Sequence, residues 1–488
     1  MAITFNQMPS SNRVPGPYAE VDGSNALGIQ APDPHKVLMI GIRLSTGSAA
    51  EGIIKRIVGT EDGDAYFGSK SMLALGARAF KRLNKSADLY AMAMDEAGGG
   101  TAATGTFVFT GTATEDGTLQ VRIGDTRITA TIVSGTTHTA TATALNTAIG
   151  AKDRCPCSSS VSTGTVTVTY RHKGTAGNEI TLEVESIPAG LSVTPALNAS
   201  TALSGGATDP DIATAIAAID EDRYDSIVVL GMTGATNMLA IEAEAERRWG
   251  PLVKQPTMVI AATYGTHGTL TTYGNSRNSQ FSCVIGTGLS PTPPYIWAAQ
   301  AAARDAQRCD TQPNRPRNGL TLPDCEAPKK LDRFDATQRN LLLFDGISTF
   351  KVDQSGRVMI ERLITTYQTN AQSISDATYL AIETQRNLQR LYNEALTVGG
   401  KYGDFMLAPN GTKADPGVSI VTPDMYRGEM IALNDSWERR GFTKDAEGFA
   451  TDLVCEINEL DVERLDVNIA PRLVGGLVTL AHKISFQL

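Results

Sequence analysis

Apolar and polar side chains alternate at both ends of the chain. At the front, Ile3 and Phe5 are apolar while Thr4 and Asn6 are polar. At the back, Ile484, Phe486 and Leu488 alternate with Lys483, Ser485 and Gln487, and Leu480 lies in the same phase. A period of two is the mark of a half-buried strand. A strand needs a neighbour, which is either a sheet of its own domain or an exposed edge elsewhere. Hinge-like sequence adjoins each end: Pro15, Gly16 and Pro17 at the front, and Pro471, Gly475 and Gly476 at the back. The expectation is a pair of extended strand arms.

Between the arms the pattern changes three times. Val37 to Ile42 and Leu89 to Met94 are continuous apolar runs of the kind found in buried parallel strands. Between them Ser71 to Asn84 reads as an amphipathic helix, with Leu73, Ala77 and Phe80 on one face. From Gly98 the composition shifts to Thr, Gly and Ala, which favours strands and turns. Residues 107–109, 119–123, 127–133, 165–170 and 179–184 are strand candidates, with hairpin turns expected at Glu115-Asp116-Gly117 and Gly124-Asp125. One helix, Thr141 to Gly150, interrupts them. Gly98-Gly99-Gly100 and Gly205-Gly206 bracket the module as flexible joints, so it reads as an insertion.

Beyond it an α/β rhythm resumes. Helices are expected at 210–219 (with Asp209 as N-cap), 236–249 and 295–308, and strands at 226–231, 257–262 and 281–285. Gln312 to Lys330 is Pro-rich and aperiodic, the signature of a long functional loop. A hairpin over 347–362 turns at Asp353-Gln354-Ser355-Gly356. The longest helix is expected from Ser375 to Val398, and strands at 451–457 and 462–469 close the chain before the last arm. The fold class is therefore an α/β core, a largely parallel sheet with helices on both faces. It carries an inserted all-β domain, and a small α+β C-terminal domain and extended terminal strand arms complete it. Domain limits follow: an arm over 1–35, a discontinuous core over 36–98 and 207–345, an insertion over 99–206, a C-terminal domain over 346–470 and an arm over 471–488.

Composition narrows the function. The 488 residues exceed the size of one core, and two to four domains are expected. A net charge of −9 lacks the basic footprint of a general nucleic-acid binder. The start MAITFNQMPS carries no secretory signal pattern, and no apolar run reaches a membrane span. Six cysteines in a chain this long are expected as free thiols of a reducing cytoplasm, with neither a disulfide framework nor a metal. The five histidines have no metal-ligand spacing. GDAYFGSKS (63–71) displaces Lys70 from the place a phosphate loop needs, and no nucleophile elbow occurs. No cofactor and no catalysis are expected. Arg386 and Arg390, four apart on the longest helix, form a basic stripe opposite Leu388, Leu391, Tyr392 and Ala395. That stripe is either a solvated face or a contact for an acidic partner.

Three stretches carry a resemblance. MPSSNRVPGPYAEVDGSNA (8–26) resembles the start of contractile tail sheath proteins of Mu-like bacteriophages. GRVMIERLITTYQTNAQSISDATYL (356–380) is similar to that family's most recognisable segment, above all Ile364 to Gln368, Asp376 and Tyr379-Leu380. Arg248-Trp249-Gly250-Pro251, and Ser290-Pro291 before an Ala-rich helix, match its core. The resemblance implies a structural subunit without enzymatic activity. Such subunits form six-membered rings stacked helically around a tail tube, linked by terminal arms that add strands to neighbouring subunits. Contraction then drives the tube through the host envelope for genome ejection. It also implies an outward-facing insertion, hinges at Pro15-Gly16-Pro17 and around Gly475-Gly476, and a tube contact at Arg386 and Arg390. The implied partners are further copies of the chain, the tube protein, and baseplate and terminator proteins, with no nucleic acid and no membrane insertion. The implied location is the virion, after assembly in the bacterial cytoplasm. Alternatives are the sheath of a contractile bacteriocin or secretion machine, a secreted adhesive β-rich protein, and an α/β enzyme with an accessory β-domain.

Overall fold

Continuous apolar runs become the middle of one large sheet. The computed structural model describes residues 34–413, 415 and 417–486. Strand β1 (Lys36–Ile42) is followed by β2 (Ile54–Ile57), helices α1 (Asp62–Phe67) and α2 (Met72–Leu83), and β3 (Asp88–Met94). Helix α2 starts where the sequence placed it, because the Ser71 hydroxyl accepts from the Ala74 backbone N–H at 3.1 Å.

The Thr-rich stretch forms two antiparallel four-stranded sheets. Its strands are β4 (Ala102–Gly111), β5 (Gly117–Ile123), β6 (Thr126–Ile132), β7 (Cys157–Ser162), β8 (Thr165–Lys173), β9 (Thr181–Ser186), β10 (Leu191–Thr194) and β11 (Ser200–Ala202). The sheet orders are β10-β4-β8-β7 and β11-β9-β5-β6, and α3 (His138–Gly150) packs on β4, β6, β7 and β8. Strand β8 shows why a Thr-rich sequence can make a core. In TVTVTYRHK, Val166, Val168, Tyr170 and His172 point inward while the residues between them stay half-exposed. The turn from β7 to β8 places Thr163 and Gly164 at φ of 42° and 80°, the pair of left-handed residues a two-residue hairpin needs.

After the Thr-rich segment the chain gives α4 (Ala213–Ile219), β12 (Ser226–Val229), α5 (Ala235–Trp249), β13 (Met258–Thr263), α6 (His267–Asn275), β14 (Ser282–Gly286), α7 (Pro294–Thr311), α8 (Ala336–Phe344), β15 (Ile347–Val352) and β16 (Val358–Arg362). The large sheet runs β16-β15-β14-β13-β12-β1-β3-β2. Its six inner strands are parallel and its two edge strands antiparallel. Every residue of β12, β13 and β14 is buried, which requires cover on both faces. Helices α2 and α7 pack on each other and on β1, β3, β12 and β13; α5, α6 and α8 pack on β13 and β15.

The remainder is α9 (Ile382–Gly400), β17 (Met406–Leu407), β18 (Ile420–Val421), α10 (Pro423–Arg439), β19 (Thr443–Lys444), α11 (Ala446–Asp452), β20 (Val454–Ile457), β21 (Leu465–Asn468) and β22 (Arg472–Leu473). It holds two small cores, one of Val398, Met430, Phe449 and Leu453, the other of Leu391, Trp437 and Phe442.

Several expectations change. Glu115-Asp116-Gly117 is not a hairpin turn: β4 and β5 belong to different sheets, and the segment crosses between them. Asp209 does not cap α4; its carboxylate takes the N–H and hydroxyl of Thr175, both at 2.7 Å. The joints of the Thr-rich segment are tied, since Thr101 and Ala207 exchange backbone hydrogen bonds of 3.0 and 3.1 Å. Residues 347–362, assigned to the C-terminal part, complete the large sheet through β15 and β16. The longest helix starts at Ile382, because Asp376 is engaged by Thr378 and by the Tyr367 hydroxyl at 2.7 Å. Helices α6, α8, α10 and α11 had no expectation, since none shows a clean apolar stripe.

Close packing makes Gly274 in α6 obligatory. A Cβ there would lie 2.0 Å from the Asp345 carbonyl oxygen at the end of α8. Gly274→Ala should therefore destabilise by about 3 kcal/mol, read from the midpoint of urea unfolding. Glu179, between β8 and β9, gives a second test. Burial pushes its carboxyl up to about 8, against the Tyr264 backbone N–H and with help from Asp209. Between the ordinary 4.5 and 8 the folded state holds a proton that the unfolded state releases, so stability falls as pH rises. Glu179→Gln should remove that slope, raising Tm at pH 8.5 and leaving it nearly unchanged at pH 4.5.

Candidate assembly site

The tail beyond β22 pairs with no strand among the described residues. Residues 474–486 take no regular structure, and Leu477, Leu480, Ile484 and Phe486 are 71, 67, 89 and 79% exposed. Large apolar side chains left in water, with Leu480, Ile484 and Phe486 in one strand phase, are a surface that awaits cover. Ile3, Phe5, Pro15, Gly16, Pro17 and Leu488 lie outside the described residues.

The root of the tail is held firmly. Strand β22 pairs antiparallel with β19, and the Val474 N–H donates to the Phe442 carbonyl at 3.1 Å. Pro471 precedes this short pairing. Gly475 has nothing near a would-be Cβ, whereas a Cβ on Gly476 would sit 2.6 Å from Pro316 Cγ. Only the first glycine has room to swing.

Strands β20 and β21 form a hairpin with no third strand beside it among the described residues. Such a hairpin is marginal alone and leaves two unpaired edges. Val454, Leu460 and Val462 on it are exposed, and residues 454–468 carry five carboxylates against one arginine.

The aperiodic loop 312–330 has a defined task. Gly319 and Leu322 donate to Ile360 and Val358 of β16, and Ile360 donates back to Leu320, so the loop covers the sheet edge. Its Arg317 is fully buried. The expected basic stripe must also be corrected. Arg386 is 1% exposed and faces the interior. Its Nε and Nη2 donate to Asp305 at 2.8 and 2.5 Å, Nη1 to the Asp225 carbonyl at 2.7 Å, and Nη2 to the Ser226 hydroxyl at 2.6 Å. Arg317 Nε holds the other Asp305 oxygen at 2.9 Å. Burial pushes the Asp305 carboxyl up, but Arg386 and Arg317 outweigh it and hold it below the usual range. Arg390 is half-buried and bonds Glu394 at 2.5 Å, which also takes Arg440 and the Trp437 indole. Neither arginine offers a free charge to a partner. Helical periodicity cannot tell a buried ionic face from a solvated one, which is why the sequence misread it.

His35, Asp305 and Cys309 lie close enough to share a metal ion. The two guanidinium groups on Asp305 already supply the positive charge, and burial pushes the Cys309 thiol up to about 12. The cluster is better suited to an ion-pair network than to a cation. Burial also lowers His35 to about 4, so its imidazole is neutral.

The segment 364–380 is a structural hub. Ile364, Thr365 and Thr366 are fully buried; Thr365 Oγ1 donates to Tyr379 O and Thr366 Oγ1 to Ser279 O. The Gln368 amide donates to the carbonyls of Gly274, Arg277 and Asp345, locking α6 to the end of α8. No helix among the described residues is long and apolar enough to cross a membrane.

Residues 205–366 match the model of the phage tail sheath protein central domain. Over its whole length the chain is 34% identical to the Mu-like prophage FluMu tail sheath protein of Haemophilus influenzae, covering 100% of that protein. The fold is similar to that of the sheath tail protein of Desulfitobacterium hafniense, with a TM-score of 0.51 at 14% identity over 95% of this chain and 97% of that one. It is similar also to a chain of the 6-fold symmetrised anti-feeding prophage baseplate, with a TM-score of 0.50 at 11% identity over 98% of this chain and 100% of that one.

The ion pairs of the two arginines should separate sharply on substitution. Asp305→Ala would strand two buried cations and cost about 3–5 kcal/mol in chemical unfolding. Arg390→Ala leaves Glu394 paired with Arg440 and should cost under about 1 kcal/mol.

Proposed function

The chain belongs to the phage tail sheath proteins, and from that premise we propose that it polymerises helically around a tail tube through strand exchange of its terminal segments and contracts to drive the tube through the host envelope. The observation that carries this reading is the tail: an alternating apolar segment, exposed in the single chain, beyond a firmly held root. Hairpin β20–β21 is the acceptor this geometry favours. It has open edges, exposed apolar residues and an acidic surface, while the tail carries Lys483 and no carboxylate side chain.

Each added strand would gain backbone hydrogen bonds worth about 0.5–1.5 kcal/mol net apiece, and apolar burial of about 1.5–3 kcal/mol per large side chain. Part of that gain offsets ordering the segment. Single links are modest, but a lattice must break many at once. The driving free energy of contraction comes from subunit contacts that differ between two arrangements, and needs no nucleotide.

In this reading the rings are six-membered, and the two-sheet module over 99–206 faces outward. Residues 1–35 and 471–488 are the arms, and Gly475 is the pivot of the C-terminal one once Gly476 leaves Pro316. The lattice contacts the tube protein and ends on baseplate and terminator proteins, as part of a virion assembled in the bacterial cytoplasm. The tube contact does not fall on Arg386, whose buried pairing excludes it.

Removing Leu477 to Leu488 tests the proposal. The truncated chain should keep its Tm within a few degrees and its circular dichroism, and should fail to form striated tubes by negative-stain microscopy. Tubes of normal length from the truncated chain would overturn the exchange model.

A further inference from the structure

We propose that Asp305 and its two arginines form one shared anchor for the roots of both terminal segments, so that disturbing either root is felt at the other. The consequence for assembly rests on reading those segments as inter-subunit arms. The anchor itself lies within one chain.

The N-terminal root is His35, the residue that leads into β1. Its backbone N–H donates to Asp310 Oδ1 at 2.9 Å, and the next N–H, of Lys36, donates to Asp225 Oδ2 at 3.0 Å. Its Nε2 meets the Ser226 hydroxyl at 2.8 Å, and the same hydroxyl accepts from Arg386 Nη2 at 2.6 Å. The Ser226 hydroxyl is thus one atom serving two links, to His35 and to Arg386. Asp305 and Asp310 both stand on α7.

The C-terminal root reaches the same carboxylate by two routes. Along the first, Arg317 bonds Asp305 and the carbonyls of Pro313 and Arg315, fixing the loop that touches the tail. From that loop Pro316 closes against Gly476, and Asn314 Nδ2 donates to the Gly441 carbonyl at 2.6 Å. Along the second, Arg386 bonds Asp305, and its chain neighbour Asn387 donates to the Phe442 carbonyl at 2.9 Å. That carbonyl also takes the Val474 N–H. Buried ion pairs tolerate little change in geometry, because a displaced partner leaves an unpaired charge in the interior. A carboxylate shared by both routes is thus a rigid coupling between them.

Hydrogen exchange read by mass spectrometry tests this on the full-length chain. Asp305→Asn should speed exchange about tenfold in peptides covering both 35–37 and 472–474. Ser226→Ala is the milder variant, which keeps Arg386 paired with Asp305. It should speed both regions about threefold, and it carries the test if Asp305→Asn does not fold. Val259→Ala, in the neighbouring strand β13 and outside the cluster, supplies a control of lowered Tm. It should leave both regions protected. Acceleration at one root only, or equal acceleration at both in the control, overturns the shared anchor. If both roots loosen in the cluster variants and striated tubes still form normally, the anchor stands and the arm-exchange reading fails.

Discussion

A carboxylate held between two guanidinium groups, all three without solvent exposure, sets the terms for everything around it. Charges in that position are tolerable only with full pairing. Asp305 is on α7, Arg386 on α9 and Arg317 in the long loop, so the pairing fixes a helix of the core, a helix beyond the core and an aperiodic segment to one another. Two cations exceed one anion, and the surplus donors are taken by the carbonyls of Asp225, Pro313 and Arg315. The loop turns its carbonyls inward to meet Arg317, and so has fewer of them for regular structure. Its prolines suit that task, since each lacks an N–H that would need a partner.

The core was largely legible because burial on both faces leaves a plain mark. Runs such as VLMIGI and SIVVLG admit few other readings, and their order around the Thr-rich segment already implied a sheet assembled from both sides of it. What escaped was decided by partners distant in sequence. Ser375-Asp376 looks like a helix start, but Tyr367 and Thr378 claim the Asp376 carboxylate, and α9 begins only at Ile382. Asp209 looks like a cap and instead holds Thr175. Arg386 looks like a surface residue because a polar helical face reads the same whether it meets water or a buried carboxylate. A local signal carries no information about a partner 81 positions away.

The stretch ITTYQ, part of the segment that carried the resemblance, also has a physical account. Thr365 and Thr366 are small enough to be buried, yet each hydroxyl finds a carbonyl. Gln368 gathers three carbonyls from two helix ends, which neither an apolar residue nor a carboxylate could do. The segment passes from the last strand of the large sheet toward α9. Its side chains hold the sheet, α6 and α8 in register at the point where the chain leaves the core. A polar motif is thus explained by satisfied hydrogen bonds in the interior.

The two adjacent glycines before the tail show where sequence reasoning stops and geometry takes over. As letters they are equal, and both were read as a hinge. In space Gly476 lies against Pro316, where any Cβ would collide, while Gly475 stands in open space at ordinary backbone angles. A glycine required by contact and a glycine free to rotate have opposite mechanical meanings: one clamps the segment, the other permits it to turn. In the proposed lattice a subunit must move as a body while its tail stays bonded elsewhere. That motion is absorbed most cheaply at Gly475 if the Pro316 contact is released, and beyond Gly476 if it is kept. The Pro316 contact belongs to the loop that Arg317 pins to Asp305, so the choice between these two pivots is governed by the same buried carboxylate.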